Sequence, residues 1–198
     1  MYPLGHIGVG TFIAEPISRR LPWKWIAFGT LLPDLIDKPL YYGTAWFNGV
    51  HGPANGLISG TRTFGHSLLV LLLIFLAGRF AAPAAQARKI EPITTAIAVG
   101  MLTHLLLDFA MDLVLDLLLQ TFQDDKSPPL MNAIFFPALG FEFPYFRWKD
   151  MAGHLSVFDR WPAIVAEVLG AVLIWRKYSQ SSLKKSKAGP QKRGPGSA

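Results

Sequence analysis

In the stretch GMLTHLLLDFAMDLVLDLLL, residues 100–119, four ionisable side chains stand four apart: His104, Asp108, Asp112 and Asp116. On a helix each step of four turns about 400°, so His104 and Asp108 share one face and Asp112 follows closely, whereas Asp116 has drifted about 120° from His104. His-x-x-x-Asp is thus spaced as a pair of metal ligands, and imidazole with carboxylate is a good donor set for zinc or manganese. The rest of the stretch is apolar enough for a bilayer, where an ionised Asp near the centre costs about 2.5–3.5 kcal/mol on insertion scales. A divalent cation offsets that cost. Asp112 and Asp116 are expected outside the direct ligand set, as partners of the ligands or of other helices.

One helix cannot supply a whole site, and further candidates lie elsewhere in the chain. LLPDLIDKP holds Asp34 and Asp37, three apart and so neighbours on a helical turn. RTFGHSLL holds His66, with Arg62 four residues before it, and PLGHIGVG holds His6. His6, Asp34, Asp37, His66, His104 and Asp108 form the expected metal-ligand set. Asp34 and Arg62 are expected to carry the chemistry, Asp34 as an anionic ligand and Arg62 by steadying a phosphate or carboxylate. Ser67 reads as a helix-start residue rather than a nucleophile. His51 and His154 have no companion spacing and read as ordinary loop residues.

The elements that must position these residues are apolar. Of 198 residues, 51% are hydrophobic and only 16% charged, below the roughly 25% charged residues of a soluble domain. Apolar segments fall at roughly 4–18, 22–33, 66–82, 93–119 and 161–176. The fourth is long enough to cross about 30 Å of hydrocarbon. The fifth, WPAIVAEVLGAVLIW, has Trp161 and Trp175 at its ends, as interfacial aromatics would be placed. The first two are short and read as a helical pair or as re-entrant pieces protected by their neighbours. The expected fold is an all-α integral membrane bundle of about five segments over residues 1–178, with outer loops at about 34–65 and 120–160. A disordered basic cytoplasmic tail is expected over 179–198. Glu167 in the fifth segment must face the bundle, with no partner named by the sequence.

There is no cysteine, which removes disulfides, thiolate ligands and thiol nucleophiles. The net charge of +6 is concentrated in the tail, which suits a membrane surface better than nucleic acid. If the five segments alternate with the carboxyl terminus inside, thirteen Lys and Arg face inward and six outward, the bias of a cytoplasmic side. Without the tail the split is six to six. In this orientation His6, Asp34, Asp37, His66 and the His104 pair all approach the outer side, a convergence that the charge count did not build in. The amino terminus lacks the basic region and cleavage site of a signal peptide.

The order Gly-His, Leu-Pro-Asp-x-x-Asp, Arg-x-x-x-His-Ser and His-x-x-x-Asp, followed by FFPALGFEFP, resembles the prokaryotic membrane-bound, metal-dependent hydrolase family described as LexA-regulated in some bacteria. The resemblance covers residues 4 to about 145. It implies a helical membrane hydrolase without a defined substrate. The chain departs from many members at Thr61 and Gly65, where they carry His and Thr. A looser likeness is to zinc-dependent phospholipase C enzymes.

The function expected is hydrolysis of an ester or phosphoester, with a phosphoester or lipid-like substrate first, by water activated on one or two divalent ions, zinc first, at the outer boundary of the inner (plasma) membrane. Membrane lipid is the expected partner. The rival is a metal-ion or proton transporter using the same His/Asp cluster. A conduit needs polar groups through the full depth, whereas residues 93–102 offer only Thr94 and Thr95.

Overall fold

The computed structural model describes residues 3–81, 84–119, 127–145, 153 and 161–187. Among these the regular structure is entirely helical: α1 (Pro3–Ala14), α2 (Trp23–Gly29), α3 (Leu32–Asn48), α4 (Leu68–Leu76), α5 (Ala84–Leu119), α6 (Met131–Ile134) and α7 (Trp161–Lys187). Short 3-10 turns occupy Gly52–Asn55 and Phe64–His66, and a π turn, Ala77–Ala81, ends α4. The all-α expectation is met. Within α5, Arg88–Leu113 is long and apolar enough to cross a membrane, whereas α1 and Leu68–Phe80 are apolar but shorter. One clear span is therefore shown, rather than five.

The directions of the helices follow from their contacts. Ala14, Ile26 and Ala96 pack together at one end, while His6 stacks on His104 and the Thr30 carbonyl meets His104 at the other. Hence α1 runs against α5 and α2 runs with it. A Cβ on Gly78 would overlap Thr94, and His66 meets His104, so α4 also runs against α5. Glu167 of α7 accepts from Leu4 N (3.0 Å) and Gly5 N (2.9 Å). It satisfies amides that the first turn of α1 leaves without intrahelical partners. This is the partner that the sequence could not name for Glu167.

Two features differ from expectation. α3 occupies Leu32–Asn48, where a loop from about 34 is expected. Pro33 sits in its first turn, where a proline's missing N–H is harmless, and Gly49 ends it with φ 67°. Pro33, Asp37, Tyr41 and Ala45, four apart, form its buried side. At the other end α7 continues through Lys187, past the expected start of the tail at 179. Residues 188–198, the loop portions 120–126, 146–152 and 154–160 with His154, and the side chain of Asp116 lie outside the described residues.

Polarity is distributed in an unusual way. His6, His104, Thr30, Thr63, Asp37 and Ser67 are among the largest fully buried side chains. Large apolar residues face outward: Leu102, Leu106, Phe109 and Leu113 along α5, and Ile164, Val165, Val168, Leu169 and Val172 along α7. Helices approach closely through glycine, as in membrane bundles. A Cβ at Gly100 would overlap the Ile26 carbonyl and press on the Gly29 Cα at 2.8 Å. Gly100→Leu is therefore expected to destabilise the protein in micelles by at least about 3 kcal/mol, the upper range for overpacking. Thermal melting checks this. The variant should also lose metal, since it displaces the segment of α2 that holds His104.

Candidate metal centre

The centre begins with two histidines whose ring orientation is fixed from behind. His104, fully buried on α5, places Nδ1 2.7 Å from the Thr30 carbonyl oxygen. A carbonyl oxygen only accepts, so Nδ1 carries the hydrogen and Nε2 presents a lone pair. His66 places Nδ1 2.7 Å from Asp37 Oδ2, which leaves its Nε2 free in the same way. The two Nε2 atoms then face each other at 3.1 Å. Two lone pairs that close repel unless they share a positive charge.

Two carboxylates join them. Asp108 Oδ2 lies 3.4 Å from His66 Nε2 and 3.6 Å from His104 Nε2, and Asp34 Oδ1 lies 3.8 Å from His66 Nε2. Ligands about 2.0–2.1 Å from a tetrahedral zinc are spaced about 3.3 Å from one another. Separations of 3.1, 3.4, 3.6 and 3.8 Å between acceptor atoms fit that spacing. His6 adds a fifth donor. Its ring stacks on His104 at 4.0 Å and 16°, and Nε2 lies 3.3 Å from Asp108 Oδ1. Neither His6 ring nitrogen has a hydrogen-bond partner, although both are buried; polar atoms are rarely buried in that state.

Asp37 takes a different place from the one expected. Oδ2 accepts from Thr63 N (2.7 Å), His66 N (3.2 Å) and His66 Nδ1 (2.7 Å); Oδ1 accepts from Thr63 Oγ1 and Gly65 N, both at 2.8 Å. Both oxygens are engaged behind His66, so Asp37 is placed to orient the His66 ring rather than to meet an ion beside it. Gly65 is required here, since a Cβ would sit 2.7 Å from the Pro33 carbonyl oxygen and 3.1 Å from the Asp37 carboxylate. Asp37→Asn should weaken metal binding by about 10- to 100-fold, as loss of a histidine-orienting carboxylate does elsewhere. Equilibrium dialysis against a buffered zinc series checks it, and unchanged affinity would contradict the orienting role.

Arg62 is buried against two carboxylates. It forms a paired contact with Asp112 and meets Asp108 Oδ2 at 3.0 Å. Burial opposes its charge, but Asp108 and Asp112 outweigh burial, so its pKa is raised and it stays protonated. Asp112 thus meets the cluster through Arg62. Lys38, which sequence reasoning missed, holds Asp34 Oδ2 at 2.5 Å from the next helical turn; the i,i+4 spacing in DLIDK was the available signal. Thr30 was also missed, because a backbone carbonyl leaves no mark in a sequence. Ser67 accepts from Val70 N at 3.2 Å and donates to Phe64 O at 2.6 Å, so it caps α4. His51 is exposed in the loop after α3.

The charges fit a divalent ion. Asp34, Asp37, Asp108 and Asp112 carry four negative charges against Arg62 and Lys38, which leaves two uncompensated if the histidines are neutral. Such a surplus is costly in a buried site, and one divalent cation cancels it.

Residues 1–119 match the family model described as YdjM inner membrane protein. The matched stretch contains α1 to α5 and every side chain of the cluster. The description names a membrane family, as the order of motifs implies, and names no activity. No curated protein and no solved structure matches the chain.

Proposed function

This chain belongs to the YdjM inner membrane protein family, and from that premise we propose that it is a multi-pass, metal-dependent hydrolase of esters or phosphoesters. The observation that carries this reading is the convergence of His104 Nε2, Asp108 Oδ2 and Asp34 Oδ1 on His66 Nε2, at 3.1, 3.4 and 3.8 Å, with both imidazoles oriented from behind. These four would hold the ion, and His6 offers a further nitrogen. Three protein ligands and a water suffice for a catalytic zinc. The charge count favours one ion over two. When bound, a divalent ion supplies the Lewis acidity that activates water near neutral pH and polarises the ester oxygen.

The chain's own residues do the rest. Asp37 and the Thr30 carbonyl hold the imidazoles in their ligand tautomer. Arg62 meets Asp108 Oδ2 at 3.0 Å and brings a fixed cation to the site, suited to an anionic substrate oxygen. A small crevice of about 20 Å3 reaches the cluster, lined by the polar Arg62, Asp108 and Asp112 together with the apolar Leu105, Phe109, Leu130 and Ile134. Phe109 also belongs to the outward apolar stripe of α5. A polar head at Arg62 and an apolar body along Phe109 favour a lipid-like substrate.

The remaining helices are read as membrane-embedded because their large apolar residues face outward while the polar cluster is enclosed. The expected orientation, with the cluster towards the outer face, is retained. The decisive experiment is chelator-sensitive hydrolysis by purified protein in micelles, with no gradient present.

A further inference from the structure

At the end of the α1–α7 pair away from the His/Asp cluster, the two helices enclose a cavity of about 230 Å3. Their backbones touch at Gly8 and Gly170, where a Cβ on Gly8 would overlap the Gly170 carbonyl. Larger side chains follow. Thr11, Phe12 and Glu15 come from α1 and the turn after it, and Leu173, Arg176 and Lys177 from α7. Along both helices the lining changes from apolar near the glycine contact to charged at the far end.

That charged end is marked by aromatics. Trp175 and Tyr178 flank Arg176 and Lys177 and are 74% and 57% exposed. Trp23 meets Tyr178 edge-on at 5.8 Å and lies 5.8 Å beneath the Lys177 ammonium. Exposed Trp and Tyr at the end of an apolar helix mark the bilayer–water boundary. The charged residues then stand at headgroup depth, with Phe12 and Leu173 at the depth of the first acyl carbons.

We propose that this cavity binds one phospholipid with a phosphoethanolamine headgroup. Arg176 takes the phosphate, Glu15 takes the primary ammonium, and the chains lie against Phe12 and Leu173, while Lys177 keeps its place over Trp23 and adds positive potential on the phosphate side. A guanidinium and a carboxylate lining one cavity match the two charges of a zwitterion. A purely anionic lipid leaves Glu15 facing negative charge, and a choline head has no N–H to donate to it.

Native mass spectrometry of the full chain tests this. The detergent-purified protein is incubated with equal amounts of phosphatidylethanolamine, phosphatidylglycerol and phosphatidylcholine of identical chains. One phosphatidylethanolamine should be retained in preference to the other two by roughly tenfold, the scale of one charge-assisted hydrogen bond. Glu15→Gln should abolish the preference over phosphatidylglycerol. Arg176→Gln with Lys177→Gln should lower retention of all three phospholipids, and Arg79→Gln, an exposed cation elsewhere, should change nothing. Chain-free glycerophosphoethanolamine should fail to displace the lipid. Preference for phosphatidylglycerol, an unchanged preference in Glu15→Gln, or displacement by the chain-free headgroup would each overturn the proposal.

Discussion

In metal analysis of detergent-purified protein, His104→Ala should retain no more than a trace of the divalent metal bound by the unaltered chain. His104 belongs to both groups of donor atoms that could hold an ion, one with His6 and Asp108 and one with Asp34 and His66. Its removal also leaves the Nε2 of His66 without its nearest counterpart, 3.1 Å away. Loss of an orienting partner costs about 10- to 100-fold in affinity, so loss of the ligand itself should exceed about 100-fold. His104→Gln keeps most of the volume and separates loss of ligation from loss of packing. His66→Ala should behave like His104→Ala. Asp112→Asn should have a much smaller effect, because Asp112 touches the centre only through Arg62. Asp116→Ala should retain metal. Full metal content in His104→Ala would remove the central claim, and equal loss in Asp116→Ala would mean that the ligand set is wrongly drawn.

The cluster was legible in the sequence because each member stands among apolar residues, where an ionisable group is too costly to be incidental. His-x-x-x-Asp on one helical face needed only the 3.6-residue period, and the structure brings His6, Asp34, His66, His104 and Asp108 together as expected. What the sequence could not reveal was which oxygens are already engaged. Asp34 and Asp37 look equivalent in LLPDLIDKP. Three residues later in the helix is about 300° of rotation, and that rotation turns Asp37 towards the Thr63–His66 backbone while Asp34 faces the imidazole nitrogens. The fold was read less completely. Gly and aromatic residues in YYGTAWFNG suggest a loop, yet tertiary burial of Pro33, Asp37, Tyr41 and Ala45 along one side sustains α3. The expected five spans rest on apolar runs, and α1 and α4 are too short to establish crossing by length alone.

Hydrolase and transporter differ in what they need. A conduit works only between two compartments, whereas hydrolysis needs metal, water and substrate at one place. Protein in micelles, offered a panel of chromogenic carboxylic esters and phosphoesters with and without alkyl chains, should cleave some of them with no gradient. A chelator should abolish the activity and added zinc should restore it. Asp34→Asn should reduce it by about 100- to 1000-fold, since the change removes an anionic ligand at nearly constant size and a single electrostatic contribution to a transition state is worth about 10²–10³. The same variant should still fold, because Asp34 lies at the start of α3, the ion pair it gives up is with the partly exposed Lys38, and His66 keeps its closer contact with Asp37. Arg62→Ala should weaken anionic substrates more than neutral ones. The long-chain phosphoesters should be preferred if Phe109 guides an apolar body to the crevice. Suppose instead that the protein is inert across the panel while proteoliposomes move metal ions or protons in a His104-dependent way. The same donors would then serve passage, although that path would have to continue past Ala96, Ala98 and Met101, a buried apolar stretch of α5 beyond the cluster. No carboxylate or imidazole interrupts residues 92–103, so an ion released from the cluster would meet no anionic or imidazole ligand along that stretch of α5, which is the physical reason for placing hydrolysis first.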